Sequence, residues 1–322
     1  MRVTRRQVLV AAGACSAGLL STRAAGARLV DADVAAGQAV DSLLFGEDGV
    51  FGVVIMSPDG QSLVSRNSHA PFISASLYKL LVMLDYFVSR AEGTIDFSQT
   101  IELSDAFFPM GEFEDDPYWG IGTMWNQVPV IDLITTMIQY TSNVAARALL
   151  SQTTPERLSQ VAIAHDMPST AILCDPSTIG QWPPLMGDGD TPSDMEAAMR
   201  FVIASSADGP VNVTTPRDIA SFFRQLASGT LIDPATSSQI TEILLGQQIN
   251  DRIPALLPAG TPVAHKTGNL DWVCHDAGIL WGQRGTTITV LMAQDFADDQ
   301  RVTQILQRLG LIAYGSLDVP PL

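Results

Sequence analysis

Hydrophobic and polar positions along the chain follow two periods. Gly49 to Ser57 (GVFGVVIMS) is an apolar run of strand length, Pro58-Asp59-Gly60 is a turn, and Gln61 to Asn67 is a second strand, which predicts a β-hairpin. Residues 31–45 fit an amphipathic helix. From Leu77 to Val88 apolar residues recur at helical spacing, and Gly93 sits just beyond as a stop. Residues 131–150 predict another strongly helical stretch. Residues 175–193, dense in Pro and Gly, predict a long loop of the kind that carries function in compact domains. Helices are expected at about 194–205, 216–228 and 234–246, the last two opened by Thr215 and Asp233 as N-caps with Pro next. Strands at 262–267, 273–282 and 286–294 and a helix from about 299 to 314 close the chain. This order predicts a mixed sheet with helices on its faces, joining the two chain ends around an inserted helical lobe. No internal repeat is found.

The first 27 residues stand apart. A basic start leads into an apolar stretch from Val8 to Leu20, too short to span a bilayer. It fits the core of a signal peptide, with Ala25-Gly26-Ala27 as the cleavage site. Thr4-Arg5-Arg6 followed by Gln7-Val8-Leu9 looks like a twin-arginine export signal. Cys15 is a weaker candidate for lipid attachment, because Ala12 sits where such a site prefers Leu. No later segment is apolar enough to cross a membrane, so an exported, soluble mature protein is expected.

Charge narrows the partners. The 322 residues carry 34 acidic and 18 basic side chains, a net charge of -16. Losing residues 1–27 removes Arg2, Arg5, Arg6 and Arg23 and leaves 34 acidic against 14 basic, net -20. Nucleic-acid backbones need the opposite sign. Cys174 and Cys274 are not a disulfide framework: they either pair or serve as small buried hydrophobes. The four histidines, His69, His165, His265 and His275, form no HExxH, and neither a phosphate loop nor a G-x-S-x-G elbow is present.

Among the basic residues only Lys79 and Lys266 are lysines; the rest are Arg. A position that keeps Lys in such a chain is a candidate for a compact amine that loses its proton. Both lie in short motifs. In Ser76-Leu77-Tyr78-Lys79 the spacing puts both side chains on one helix face, with the serine in the first turn, where backbone N–H groups lack partners and the dipole favours an anion. Lys79, among apolar neighbours, can be desolvated enough to act as a base. Thr141-Ser142-Asn143 interrupts an apolar helix with three poor helix formers, which suggests a break facing a polar site. His265-Lys266-Thr267-Gly268 ends a strand with a cation, a hydroxyl and a glycine, an edge suited to binding an anion at close approach. Each motif alone also has an ordinary structural explanation: a cap, a solvated patch, a strand end.

Together, and in this order, the three resemble the class A β-lactamases and their relatives, the penicillin-recognising serine peptidases, over most of residues 40–315. GVVIMSPDG, TTPRDIASFFRQLASG, DRIPALLPAGTPVAHKTG and HDAGIL (275–280) extend the likeness. The resemblance implies an α+β fold: a five-stranded antiparallel sheet flanked by helices, with an inserted all-α lobe. The sheet lobe would be residues 28–85 plus 216–322 and the helical lobe 86–215. It implies that Ser76 is the acylated nucleophile, Lys79 its proton acceptor, Thr141 the proton donor to the leaving nitrogen, and Asn143 the residue that orients the substrate amide. Lys266 and Thr267 would bind the substrate carboxylate, with Gly268 beside them, and the backbone N–H groups of Ser76 and Asn269 would form the oxyanion hole. No cofactor or metal is implied.

The sequence departs from the family in two places. The middle motif has Thr141 for Ser and Ser142 for Asp, losing a carboxylate that supports local structure. No Glu-x-x-Leu-Asn follows to activate the deacylating water; the nearest acid is in Glu196-Ala197-Ala198-Met199-Arg200, where it equally suits an exposed first turn. The expected function is therefore an exported serine hydrolase, a monomer that forms an acyl-enzyme with a β-lactam and serves β-lactam catabolism and resistance. A D-Ala-D-Ala peptidase acting on peptidoglycan stem peptide, or an esterase, is the alternative on the same scaffold. A non-catalytic binding protein is the alternative of another class, and the two retained lysines argue against it.

Overall fold

The computed structural model describes residues 33–103, 107, 116–118, 127–172 and 212–322. The signal segment 1–27 with Cys15, the loop 175–193 with Cys174, and the helix expected at 194–205 with Glu196 lie outside the described residues.

A helix over 33–44 (α1) leads into the hairpin of β1 (Val50–Met56) and β2 (Ser62–Arg66). Its turn is closed by Ser57 N–H donating to Gln61 O at 3.0 Å and by Gly60 at φ 89°, a conformation that a side chain would strain. The other three strands of this sheet come from the far end of the chain: β7 (Val263–Leu270), β8 (Val273–Gly282) and β9 (Gly285–Gln294). The order is β2-β1-β9-β8-β7. Every pairing is antiparallel, so the mixed sheet expected from element order is corrected. The physical reason lies in the connections. The last three strands are joined by tight hairpins, which permit only antiparallel neighbours, and β9 then meets β1 head to tail.

Period-two alternation splits the sheet between two cores. Phe51, Val53 and Ile55 of β1, with Leu291 and Ala293 of β9, face α1 and the C-terminal helix α8 (Asp299–Tyr314) through Ala36, Val40, Val302, Ile305 and Leu309. Val54, Ile288, Val290, Ala277 and Ile279 face the helical side instead. There α2 (Lys79–Ala91) carries a fully apolar run, Leu80 to Leu84, into the centre of the larger core. Around it pack α3 (Val130–Gln139), α4 (Asn143–Leu150), α5 (Pro155–Ala164), α6 (Pro216–Ala227) and α7 (Pro234–Leu245). Thr215 and Asp233 cap α6 and α7 through Asp218 N and Thr236 N, each with Pro next, as the sequence predicted. No helix among the described residues is long and apolar enough to cross a membrane.

Three local features refine the sequence reading. The stretch 131–150 is two helices, separated at residues 140–142 where the polar triplet suggested a break. The helix carrying Ser76 does not begin as an α-helix: a 3-10 turn, Ala75–Tyr78, precedes α2. Ala75 sits at φ 42°, outside the right-handed helical region, so an α-helix cannot run through it. Two short pairs, β3 (Phe72–Ile73) with β6 (Val213–Thr214) and β4 (Thr100–Glu102) with β5 (Gln127–Pro129), are too short to leave a periodic signal.

Close packing of β8 on β7 depends on Gly278, paired with His265. A Cβ there would lie 2.6 Å from His265 Cβ and 2.8 Å from its Cα. We expect Gly278→Ala to lower unfolding stability by about 1–3 kcal/mol or more, read from the denaturant midpoint. An unchanged midpoint would mean that β7 and β8 part at no cost.

Candidate active site

The Ser76 turn is fixed from both sides. Leu77 N–H donates to Ser74 O at 2.9 Å, and Lys79 N–H is bonded to Ser76 O. In a 3-10 turn residues three apart eclipse one another. Ser76 and Lys79 therefore project in the same direction more closely than an α-helix would place them. Ser76 is half-buried and Lys79 fully buried. His275 Nε2, 2.7 Å from Ile73 O, ties the approach to this turn to β8, and Ala293 N–H donates to the other ring nitrogen at 3.2 Å. That leaves the ring neutral, as burial also requires by pushing its pKa down to about 4.

The second element is the turn between α3 and α4. Thr141 sits at φ 59°, a left-handed conformation costly for a β-branched residue and held there only by its surroundings. The conformation aims the Thr141 carbonyl at Lys79, whose Nζ donates to it at 2.6 Å and to Asn143 Oδ1 at 2.7 Å. The Thr141 hydroxyl points the other way and accepts from Lys266 Nζ at 2.6 Å. Ser142 caps α4 by accepting from Ala145 N–H at 3.0 Å.

The third element is the end of β7. β7 is an edge strand, so one row of its backbone groups has no strand partner. The Ser76 turn lies along that edge. Gly268 makes the approach possible: a Cβ on it would meet Ala75 Cβ at 3.2 Å, Ser74 O at 3.2 Å and Ser76 N at 3.3 Å. Lys266, also fully buried, holds Thr267 O at 2.8 Å besides the Thr141 hydroxyl. Thr267 is buried, and Asn269 is exposed at the strand end, its Oδ1 accepting from Arg252 Nη2 at 2.8 Å.

The electrostatics follow from two amines in one dry place. Burial pushes Lys79 down to about 7, and the Asp116 carboxylate pulls in the opposite direction. Burial, then the neighbouring charge of Lys79, holds Lys266 well below the ordinary lysine range. At neutral pH a large fraction of Lys79 is a free amine, the form that can accept a proton from a hydroxyl.

The structure thus brings Ser76, Lys79, Thr141, Asn143, Lys266, Thr267 and Gly268 to one spot, with Asn269 at its rim. Two further groups belong to the arrangement and were missed in the sequence. Asp116 lies outside every motif and reaches the Thr141 turn only through folding. Arg252 lies within the DRIPALLPAG segment, but nothing in its spacing indicated that its side chain would meet Asn269. Cys274 is buried in the smaller core. No group of metal-ligating side chains occurs among the described residues.

Comparison with known proteins bears on the family and the fold. The sequence model of the Beta-lactamase enzyme family matches residues 35–317. The extended-spectrum beta-lactamase PER-1 of Pseudomonas aeruginosa is 22% identical over 294 residues, covering 85% of each chain. A beta-lactamase structure from Sphaerobacter thermophilus superposes with a TM-score of 0.67 at 19% identity, over 89% of this chain and 99% of that one. The acyl-enzyme complex of a PBP-A mutant with penicillin G gives 0.67 at 18% identity, over 87% of this chain and 94% of that one.

With only two lysines in the chain, side-chain NMR of protein labelled with 15N-lysine resolves both amines directly. We expect one of them, absent from the spectrum of Lys79→Met, to titrate with a midpoint near 7. Both midpoints near 10 would show that the site is wet and the amines ordinary.

Proposed function

Since the chain belongs to the beta-lactamase enzyme family, we propose that it hydrolyses β-lactam amides through an acyl-enzyme on Ser76, by class A-type chemistry, as an exported protein. The observation that carries this reading is Lys79: an amine with its pKa near 7, one 3-10 turn from a half-buried serine. Ser76 Oγ attacks the lactam carbonyl carbon while its proton passes to the Lys79 amine. The oxyanion is held by the backbone N–H groups of Ser76 and Asn269, a role supported by the close approach of Gly268 to Ser76 N. As the C–N bond breaks, the nitrogen takes the Thr141 hydroxyl proton, which Lys266, 2.6 Å from that oxygen and charged while it holds the substrate carboxylate, replaces. The substrate carboxylate lies against Lys266 and Thr267, and Asn143 orients the acyl amide.

The active site sits, in this reading, at the seam of a sheet lobe (28–85 with 216–322) and a helical lobe (86–215). Export through the twin-arginine-like segment and action as a monomer on small β-lactams belong to the same proposal. A D-Ala-D-Ala peptidase or esterase remains the second reading, favoured by one observation: the sequence has no Glu-x-x-Leu-Asn before TTPRD. Deacylation needs a base that holds water against the ester. A purely binding role is disfavoured by the retention of both lysines, Lys79 and Lys266, inside the motifs.

Mass spectrometry after exposure to penicillin tests the nucleophile. Wild type should gain one acyl adduct and Ser76→Ala none. Lys79→Arg should slow acylation nearly as much as Lys79→Ala, since a guanidinium stays charged, while Lys266→Arg should be milder. Adduct formation by Ser76→Ala, or equal tolerance of Arg at both lysines, would contradict these roles.

Pre-steady-state hydrolysis of a chromogenic cephalosporin tests the second half-reaction. We expect a burst followed by slow turnover, because acylation is fully equipped and deacylation is not. Fast turnover that collapses in Glu196→Gln with trapped adduct would instead establish Glu196 as the deacylating base.

A further inference from the structure

The Thr141 turn holds a strained residue, and something must hold the turn. Its support comes from a side chain 25 residues earlier. Asp116 Oδ2 accepts from Asn143 N–H at 2.8 Å and Val144 N–H at 3.2 Å. Both Asp116 oxygens, at 2.9 and 3.0 Å, accept from Ser142 Oγ, and Oδ1 also takes the N–H of Tyr118 at 3.0 Å. One carboxylate thus gathers the first backbone donors of α4, where the helix dipole favours a negative charge. It does so at Ser142, Asn143 and Val144, next to the two atoms that hold Lys79, Thr141 O and Asn143 Oδ1.

We propose that Asp116 is the positioning carboxylate of this site: it locks the Thr141–Asn143 turn against Lys79 and supplies the negative charge that faces the Lys79 amine. The residue touches no reacting atom. It acts through the turn by geometry and through Lys79 by charge. An ordinary helix cap would do neither, since its removal costs only helix stability. The proposal rests on the acyl-enzyme reading only for its kinetic consequence; the charge on Lys79 is measurable without turnover.

The charged and titratable groups at this point are Lys79, Lys266 and Asp116, with Asp276 and Arg252 acting on Lys266, and Tyr118 beside Asp116 with Asp132 near it, the phenol hydroxyl 3.2 Å from Thr136 Oγ1. Because Asp116 favours the charged form of Lys79, removing its charge moves the Lys79 midpoint down. The experiment pairs two variants. Asp116→Asn keeps shape and an acceptor but loses the charge; Asp116→Ala loses both. In 15N-lysine NMR, Asp116→Asn should shift the Lys79 titration to lower pH, and the rising limb of the acylation rate against pH should move with it. Asp116→Ala should in addition lower the acylation plateau about tenfold or more, the scale of lost charge-assisted hydrogen bonds. Should Asp116→Ala fail to fold, Asp116→Asn decides alone. A Lys79 midpoint unmoved in Asp116→Asn overturns the proposal, as does wild-type acylation in a folded Asp116→Ala. If wild type forms no adduct at all, the acyl-enzyme reading fails, and the NMR shift still judges Asp116.

Discussion

Two lysine side chains are buried completely at one point of this protein, and both are bonded to the same threonine. Burying a charge is expensive, and burying two of one sign beside each other more so. The site relieves this in three ways: the amines lose affinity for protons, Thr141 offers its carbonyl to one and its hydroxyl to the other, and Asp116 brings a counter-charge. Each requires the Thr141 turn in one conformation. That conformation is a left-handed one that the threonine would not adopt alone. The turn and the cap beneath it are where the two lysines are accommodated.

The sheet contributes in a different manner. Its hairpins deliver β7 as an edge strand, and only an edge has backbone groups free to face a turn from another layer. Gly268 then removes the side chain that would hold the Ser76 turn away. His275 joins the same turn to the middle of the sheet from below. The Ser76 turn is therefore referenced to β7 and β8 at once. Such rigid positioning suits chemistry that depends on placing a carbonyl carbon within reach of one oxygen.

Much of this was legible in the chain. The hairpin at 49–67, the caps at Thr215 and Asp233, and the three closing strands have strong local signals, because turn chemistry and capping act over a few residues. The break at 140–142 was visible because Thr, Ser and Asn in succession contradict an apolar helix. The scarcity of lysine singled out Lys79 and Lys266 before any motif was considered. Other features were not legible. The 3-10 turn at Ala75–Tyr78 differs from an α-helix by one hydrogen-bond step, which apolar spacing does not resolve. The two-residue strands β3 and β6 exist only because residues far apart in the chain, Phe72 with Thr214 and Ile73 with Val213, pair.

The sequence by itself determined which side chains are candidates for the chemistry. A serine and a lysine three apart, a polar triplet within an apolar helix and a Lys-Thr-Gly strand end are local patterns, and local patterns survive in one dimension. Only the tertiary structure decided what those groups become. The proton affinity of Lys79 is set by how much water the fold excludes from it, not by its neighbours in sequence. The carboxylate at the Thr141 turn comes from Asp116 because a separate segment folds over the start of α4, and the guanidinium beside Asn269 comes from Arg252 across a gap of 17 residues. Desolvation and long-range charge depend on distance in space, and no spacing along the chain encodes that distance.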